Sequence, residues 1–159
     1  MKLVPARETD ILELMSWFPD QRSCFVWGGP GFRYPFTEAT FREDMRQNDM
    51  SSHSLVGDDG KLLGFGQYYL RSGRCHLARL VISPNHRGRG LGAIIIREIS
   101  RLGCGELRVS HCSLFVLADN APAIRLYSRL GFVPAPFPEG APPLEGGVYM
   151  FVAVEEMAV

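Results

Sequence analysis

Leu80-Val81-Ile82-Ser83-Pro84-Asn85-His86-Arg87-Gly88-Arg89-Gly90-Leu91-Gly92 is an apolar strand-like run, a proline stop and a glycine-dense turn that hands the chain to a helix. Glycines at 88, 90 and 92 let the backbone bend tightly and approach a ligand with no Cβ in the way. The first turn of a helix carries N–H groups without intrahelical partners, and the helix dipole is positive at that end. Such a turn suits phosphate or pyrophosphate, with Arg87 and Arg89 as charge support. The alternative is a connection that only packs a helix against a sheet.

On the C-terminal side, Leu91, Ile94, Ile95, Ile99 and Leu102 form the apolar stripe of a helix from about Gly90 to Leu102, which Gly103-Cys104-Gly105 is expected to end. A long strand follows over Leu107 to Leu117. Asn120 and Pro122 then open a last helix carrying Ala123, Leu126, Tyr127 and Leu130 on one face, closed at Gly131. The proline-rich piece Pro134 to Pro143 reads as a stiff surface loop, and Val148 to Val154 as the final strand.

On the N-terminal side, Cys75 to Ser83 is a strand. Before it, Ser52 to Val56 and Leu62 to Leu70 form a hairpin across Gly57-Asp58-Asp59-Gly60. Lys2 to Ala6 reads as a first strand, Glu8 to Phe18 as a helix, and Thr37 caps another helix through about Asn48. The aromatic, glycine-rich stretch from Phe25 to Phe36 between them reads as loop. The whole is mixed α/β, with a sheet that is antiparallel early and crossed over later.

With 159 residues, 46% of them apolar and 21% charged, the chain is expected to form one globular domain over 1–159. Lys plus Arg and Asp plus Glu are both 17, so no global charge draws it to nucleic acid or an acidic membrane surface. No apolar run approaches the ~20 residues of a membrane span. Cys24, Cys75, Cys104 and Cys112 make no C-x-x-C pair. In strands, Cys75-His76 and His111-Cys112 point their neighbours to opposite faces, so no metal site is expected and the thiols fit a reducing, cytoplasmic setting.

Gly88-Arg89-Gly90-Leu91-Gly92-Ala93 also satisfies the dinucleotide fingerprint. That fingerprint belongs after a first strand and ahead of a long parallel sheet, whereas here it comes past the middle of a short chain. No Gly-Lys-Ser/Thr is present for a Walker loop. The turn instead matches [QR]-x-x-G-x-[GA] at Arg87 to Gly92, and Asn120-Ala121-Pro122-Ala123-Ile124-Arg125-Leu126-Tyr127-Ser128-Arg129-Leu130-Gly131-Phe132 matches N-x-x-A-x-x-L-Y-x-x-x-G-F. Together, over Leu77 to Phe132, these residues resemble the GCN5-related N-acetyltransferase (GNAT) family.

The resemblance implies a mainly antiparallel sheet of six to seven strands with about four helices, acetyl-CoA as acetyl donor, and direct transfer to an amine. It implies that Leu80, Val81, Ile82, Arg87, Gly88, Arg89, Gly90, Leu91, Gly92, Asn120 and Ala123 contact the cofactor. It also makes Tyr127 the general acid toward the leaving thiolate.

Many relatives carry a glutamate on the strand before the turn. This chain has His76-Leu77-Ala78-Arg79-Leu80-Val81, which leaves His76, then His111, or a water chain to accept the amine proton. Trp27, Phe32, Tyr34 and Tyr69, with Gln67 and Tyr68, either line an acceptor site or cover the core. Glu38, Glu43 and Asp44 either attract a cationic amine or form a solvated helix face. The expected partner is a small-molecule amine or a peptide or protein amine, with no nucleic acid or membrane; a homodimer is compatible. The rivals are a non-catalytic CoA-binding module and a dinucleotide-dependent oxidoreductase.

Overall fold

The computed structural model describes residues 1–46, 49–140 and 145–159. Among the described residues seven strands and five α-helices follow one another: β1 (Lys2–Pro5), α1 (Glu8–Met15), α2 (Gln21–Gly28), α3 (Glu38–Met45), β2 (Ser51–Val56), β3 (Leu62–Arg71), β4 (Arg74–Ile82), α4 (Leu91–Leu107), β5 (His111–Leu117), α5 (Ala121–Arg129), β6 (Val133–Ala135) and β7 (Gly147–Ala153). The strands lie in the order β1-β2-β3-β4-β5-β7-β6. The β1–β2, β5–β7 and β6–β7 pairs are antiparallel, and β4–β5 is parallel. This is the expected mixed sheet. Among the described residues no helix is long and apolar enough to cross a membrane.

The chain divides into two compact units, 1–67 with 79–95, and 68–78 with 96–159. In the first, Trp27 stacks on Phe18 at 4.2 Å and on Phe41 at 5.8 Å, and Phe32, Phe65, Ile11, Leu14 and Met45 complete a buried cluster. Three sequence expectations for this unit need correction. The first helix ends at Met15 rather than Phe18, because the Ser16 hydroxyl donates to the Glu13 carbonyl at 2.6 Å while Trp17 and Phe18 turn inward.

The aromatic stretch expected to be loop begins as α2. Asp20 caps that helix by accepting from the Ser23 N–H at 2.7 Å, and Gly29, at φ 87°, ends it. The helix capped by Thr37 stops at Met45, and Asn48 lies outside the described residues.

In the second unit, α4 runs through Gly103-Cys104-Gly105 to Leu107, and Arg108 at φ 56° takes the left-handed position past its end. Gly103 is a packing glycine: a Cβ there would lie 2.5 Å from the Cys75 sulfur and 3.0 Å from the Tyr68 ring. The next strand accordingly starts at His111 instead of Leu107. The expected proline-rich loop opens with β6, an edge strand, where Pro134 is tolerated because one side needs no ladder donor. Positions 141–144 of that loop lie outside the described residues.

Candidate active site

One group of candidate residues belongs to the first unit. The Ser83 N–H donates to the Leu63 carbonyl at 2.8 Å, fixing the end of β4, and a single 3-10 turn over Pro84–His86 leads to Arg87. Gly88 and Gly90 stand at φ 76° and 78°, conformations that L side chains rarely adopt. A Cβ on either meets nothing within 4 Å, so these glycines serve backbone shape and leave their outer side open.

The loop and turn hydrogen bonds of the described residues use none of the N–H groups from Gly88 to Gly90. No acidic residue sits in the first turn of α4. A row of such donors at the positive end of a 17-residue helix is chemically suited to an anion such as a diphosphate. Arg87 and Arg89 are exposed beside it, with the Arg87 Nε donating to the Ile82 carbonyl at 3.3 Å.

Leu80, Val81 and Ile82 are half-buried on β4. Gly64 makes room there, since a Cβ on it would come within 2.9 Å of the Ile82 side chain and 3.1 Å of the Val81 carbonyl. Just before them Arg79 adopts φ 51°, a left-handed residue inside a strand. It is held by the Trp27 indole N–H, which donates to its carbonyl at 2.8 Å, and by its own guanidinium, which donates to the Gln67 Oε1 at 3.0 Å and the Met45 carbonyl at 3.1 Å. Sequence reading missed this feature, because nothing in Ala78-Arg79-Leu80 advertises a positive φ.

Another group of candidate residues belongs to the second unit. Asn120 caps α5 by accepting from the Ala123 N–H at 3.4 Å, and Ala123 is half-buried. Two turns into α5, half-buried Tyr127 packs its ring 5.8 Å from that of Phe132. Burial pushes the Tyr127 hydroxyl up to about 12, so it keeps its proton throughout the neutral range.

His76 is 2% exposed, in a box made by the rings of Tyr69, Phe115 and Tyr149 at 5.3, 4.6 and 6.5 Å. Its Nδ1 shares a 2.9 Å hydrogen bond with the Ser113 hydroxyl. Burial, then the charge of Arg71, pushes its pKa down to about 3. His111 is half-buried, with its Nδ1 2.9 Å from the Ser110 hydroxyl.

Of the two readings open to the aromatic candidates, burial favours core cover for Trp27 and Phe32. Trp27 at 8% and Phe32 at 7% exposed belong to the core of the first unit, and Gln67 is wholly buried. Tyr34 is half-buried and donates its hydroxyl to the Pro19 carbonyl at 2.8 Å. Tyr69 is half-buried, its hydroxyl accepting from Arg71 at 2.8 Å, and buried Tyr68 is hydrogen-bonded to Glu106. The acidic face of α3 is neutralised: Arg33 bridges Glu43 and Asp44 at 2.6 and 3.0 Å, and Arg42 bridges Glu38 at 3.1 Å.

A mixed sheet of this strand order, with a glycine-shaped turn between β4 and α4, is the arrangement that the sequence resemblance implies. Residues 12–132 match the model of the Acetyltransferase (GNAT) family, and the chain belongs to that family, whose acetyl donor is acetyl-CoA. It is 28% identical over 103 residues to a Bacillus subtilis protein provisionally named [ribosomal protein bS18]-alanine N-acetyltransferase, covering 65% of this chain and 68% of that one.

It is also 35% identical over 86 residues to streptothricin acetyltransferase of Streptomyces lavendulae, covering 53% of this chain and 45% of that one. The L-amino acid N-acetyltransferase of Escherichia coli is 38% identical over 64 residues, 39% of this chain and 40% of that one. In fold, the spermidine N-acetyltransferase of Vibrio cholerae, solved with CoA and spermine, superposes with a TM-score of 0.72 at 16% identity, over 98% of this chain and 96% of that one.

Proposed function

We propose that this chain transfers an acetyl group from acetyl-CoA to a primary amine by direct attack within a ternary complex. The observation that carries the proposal is the row of unengaged N–H groups from Gly88 to Gly90 at the start of α4, with two arginines beside it. The diphosphate of acetyl-CoA is the ligand that such a row suits. The half-buried strand Leu80 to Ile82 offers main-chain groups to the pantetheine arm and an N–H to the thioester oxygen, where charge develops only in the transition state.

The amine nitrogen forms a bond to the acetyl carbon, the carbon–sulfur bond breaks, and Tyr127 delivers its proton to the departing sulfur. A phenol held neutral by burial is suited to this task, and a thiolate released into an equally dry setting has its own proton affinity raised in step. The proton lost by the amine passes to water. His76 is not given that role, because its ring is enclosed by aromatic side chains and its Nδ1 is committed to Ser113.

The acceptor is a primary amine that does not depend on a cluster of carboxylates, since those of α3 are already bridged by Arg33 and Arg42. The four free cysteines support a cytoplasmic setting. The missing carboxylate base favours one second reading, a CoA-binding module without turnover. Release of free CoA thiol from acetyl-CoA over a panel of primary amines separates the two. Turnover on any acceptor supports the enzyme, and acetyl-CoA binding with no turnover across the panel supports the module.

A further inference from the structure

Cys75, Cys104 and Cys112 form no C-x-x-C pair and no chelating Cys–His neighbour pair, yet the second unit gathers all three. Cys75 of β4 and Cys112 of β5 are direct partners in the parallel ladder, so they project from the same face. Cys104 reaches them from α4: its sulfur lies 3.4 Å from that of Cys112, and all three sulfurs lie within 4.8 Å of one another. All three residues are buried, with Cys75 and Cys112 at 0% and Cys104 at 5% exposure.

The surroundings suit a ligand set more than ordinary apolar packing. Gly103 brings the helix so close that any side chain there would strike the Cys75 sulfur. Ser100 lies one turn before Cys104 on the same face of α4, is fully buried, and has a hydroxyl with no hydrogen-bond partner. That hydroxyl sits beside the Cys112 sulfur without meeting hydrogen-bond geometry, where it would donate to a thiolate but has no strong acceptor in a thiol.

We propose that Cys75, Cys104 and Cys112 form a buried three-sulfur site for a soft monovalent metal ion, copper(I). An ion held at about 2.3 Å from three sulfurs spaces them about 4.0 Å apart, close to the separations already present. Among the described residues no fourth histidine, cysteine or carboxylate joins the cluster, whereas structural zinc requires four ligands. Thiolates with no oxygen or nitrogen ligand select soft ions. Each sulfur that binds as thiolate releases its proton to solvent, and the Ser100 hydroxyl gains its acceptor. The site stands apart from acetyl transfer and does not depend on that reading.

The test is an anaerobic titration of the full chain with copper(I) presented as a complex with a colorimetric chelator. The parent is expected to withdraw one equivalent. Cys75→Ala, Cys104→Ala and Cys112→Ala should each fail to do so, Ser100→Ala should bind about 10-fold more weakly, and Cys24→Ala, altered in the first unit, should bind as the parent does.

X-ray absorption at the copper edge of the loaded parent needs no variant to fold, and three sulfur neighbours are expected. The proposal is overturned if the parent leaves copper with the chelator, if Cys24→Ala loses binding equally, if the edge reports fewer than three sulfurs, or if zinc(II) is retained in preference to copper.

Discussion

Tyr127 is the proposed acid, and that role can be isolated with one atom. Tyr127→Phe removes the hydroxyl and keeps the ring against Phe132, so the fold and the KM for acetyl-CoA should hold while kcat falls by about 10²–10⁴-fold. Only the protonated phenol can act as acid, and that form prevails at every pH below about 12. The rise of kcat/KM with pH should therefore track the acceptor amine losing its own proton.

His76 supplies the matching control. His76→Asn should cost about 1–3 kcal/mol of stability through the Ser113 hydrogen bond and the ring packing, read as a lowered Tm, and leave that pH limb in place. A limb that vanishes in His76→Asn would restore the imidazole as base. At this scale the place of Tyr127 on α5 was legible because it sits inside a motif. The burial of His76 was not, since period-two alternation says which face a strand residue takes but not what covers that face.

In the proposed site the turn between β4 and α4 binds through its backbone, so side-chain and main-chain changes there should differ in kind. Gly90→Val forces a branched residue into φ 78° and puts a side chain on the open side, and isothermal titration should show acetyl-CoA affinity lost by at least about 10-fold in a folded variant. Arg87→Ala should cost less, with an effect that shrinks as salt screens exposed charge.

The start of α1 provides a pH probe. Burial alone would raise the Asp10 carboxyl, but hydrogen bonds from the Arg7 side chain and main chain and from Ser54 hold it below its ordinary value. A carboxyl lowered in the folded state contributes stability above its unfolded pKa of about 3.9 and loses that contribution as pH falls through the folded value. Asp10→Asn should therefore lower stability at neutral pH by about 2 kcal/mol. It should also flatten the acid side of a Tm-against-pH curve, where an unchanged slope would refute the assignment. Capping signals made α3 and α5 readable. Asp20 and Ser23 cap α2 in the same way, but the glycines and aromatic rings of Phe25 to Phe36 read as loop, and Gly103 read as a helix end when it is a contact.

Across the molecule, what the sequence made plain was the strand–turn–helix order and the two signatures on it, because local periodicity and glycine placement are written residue by residue. What it concealed depends on contacts between distant segments: Trp27 reaching the Arg79 carbonyl, Arg33 neutralising Glu43 and Asp44, and three cysteines far apart in the chain meeting on one face. The rings read equally as acceptor site or core cover, and the carboxylates as cation attractors or a solvated helix face; packing puts Trp27 and Phe32 in the core and pairs Glu38, Glu43 and Asp44 with arginines.

The central claim is that the amides from Gly88 to Gly90 hold the diphosphate of acetyl-CoA. Titrating acetyl-CoA into nitrogen-15-labelled chain and following each backbone amide by NMR tests it most directly. The account predicts the largest shifts at Gly88, Arg89 and Gly90, saturating together, and their absence when the dephosphorylated pantetheine thioester replaces acetyl-CoA. Saturable binding that leaves those three amides unmoved would contradict it.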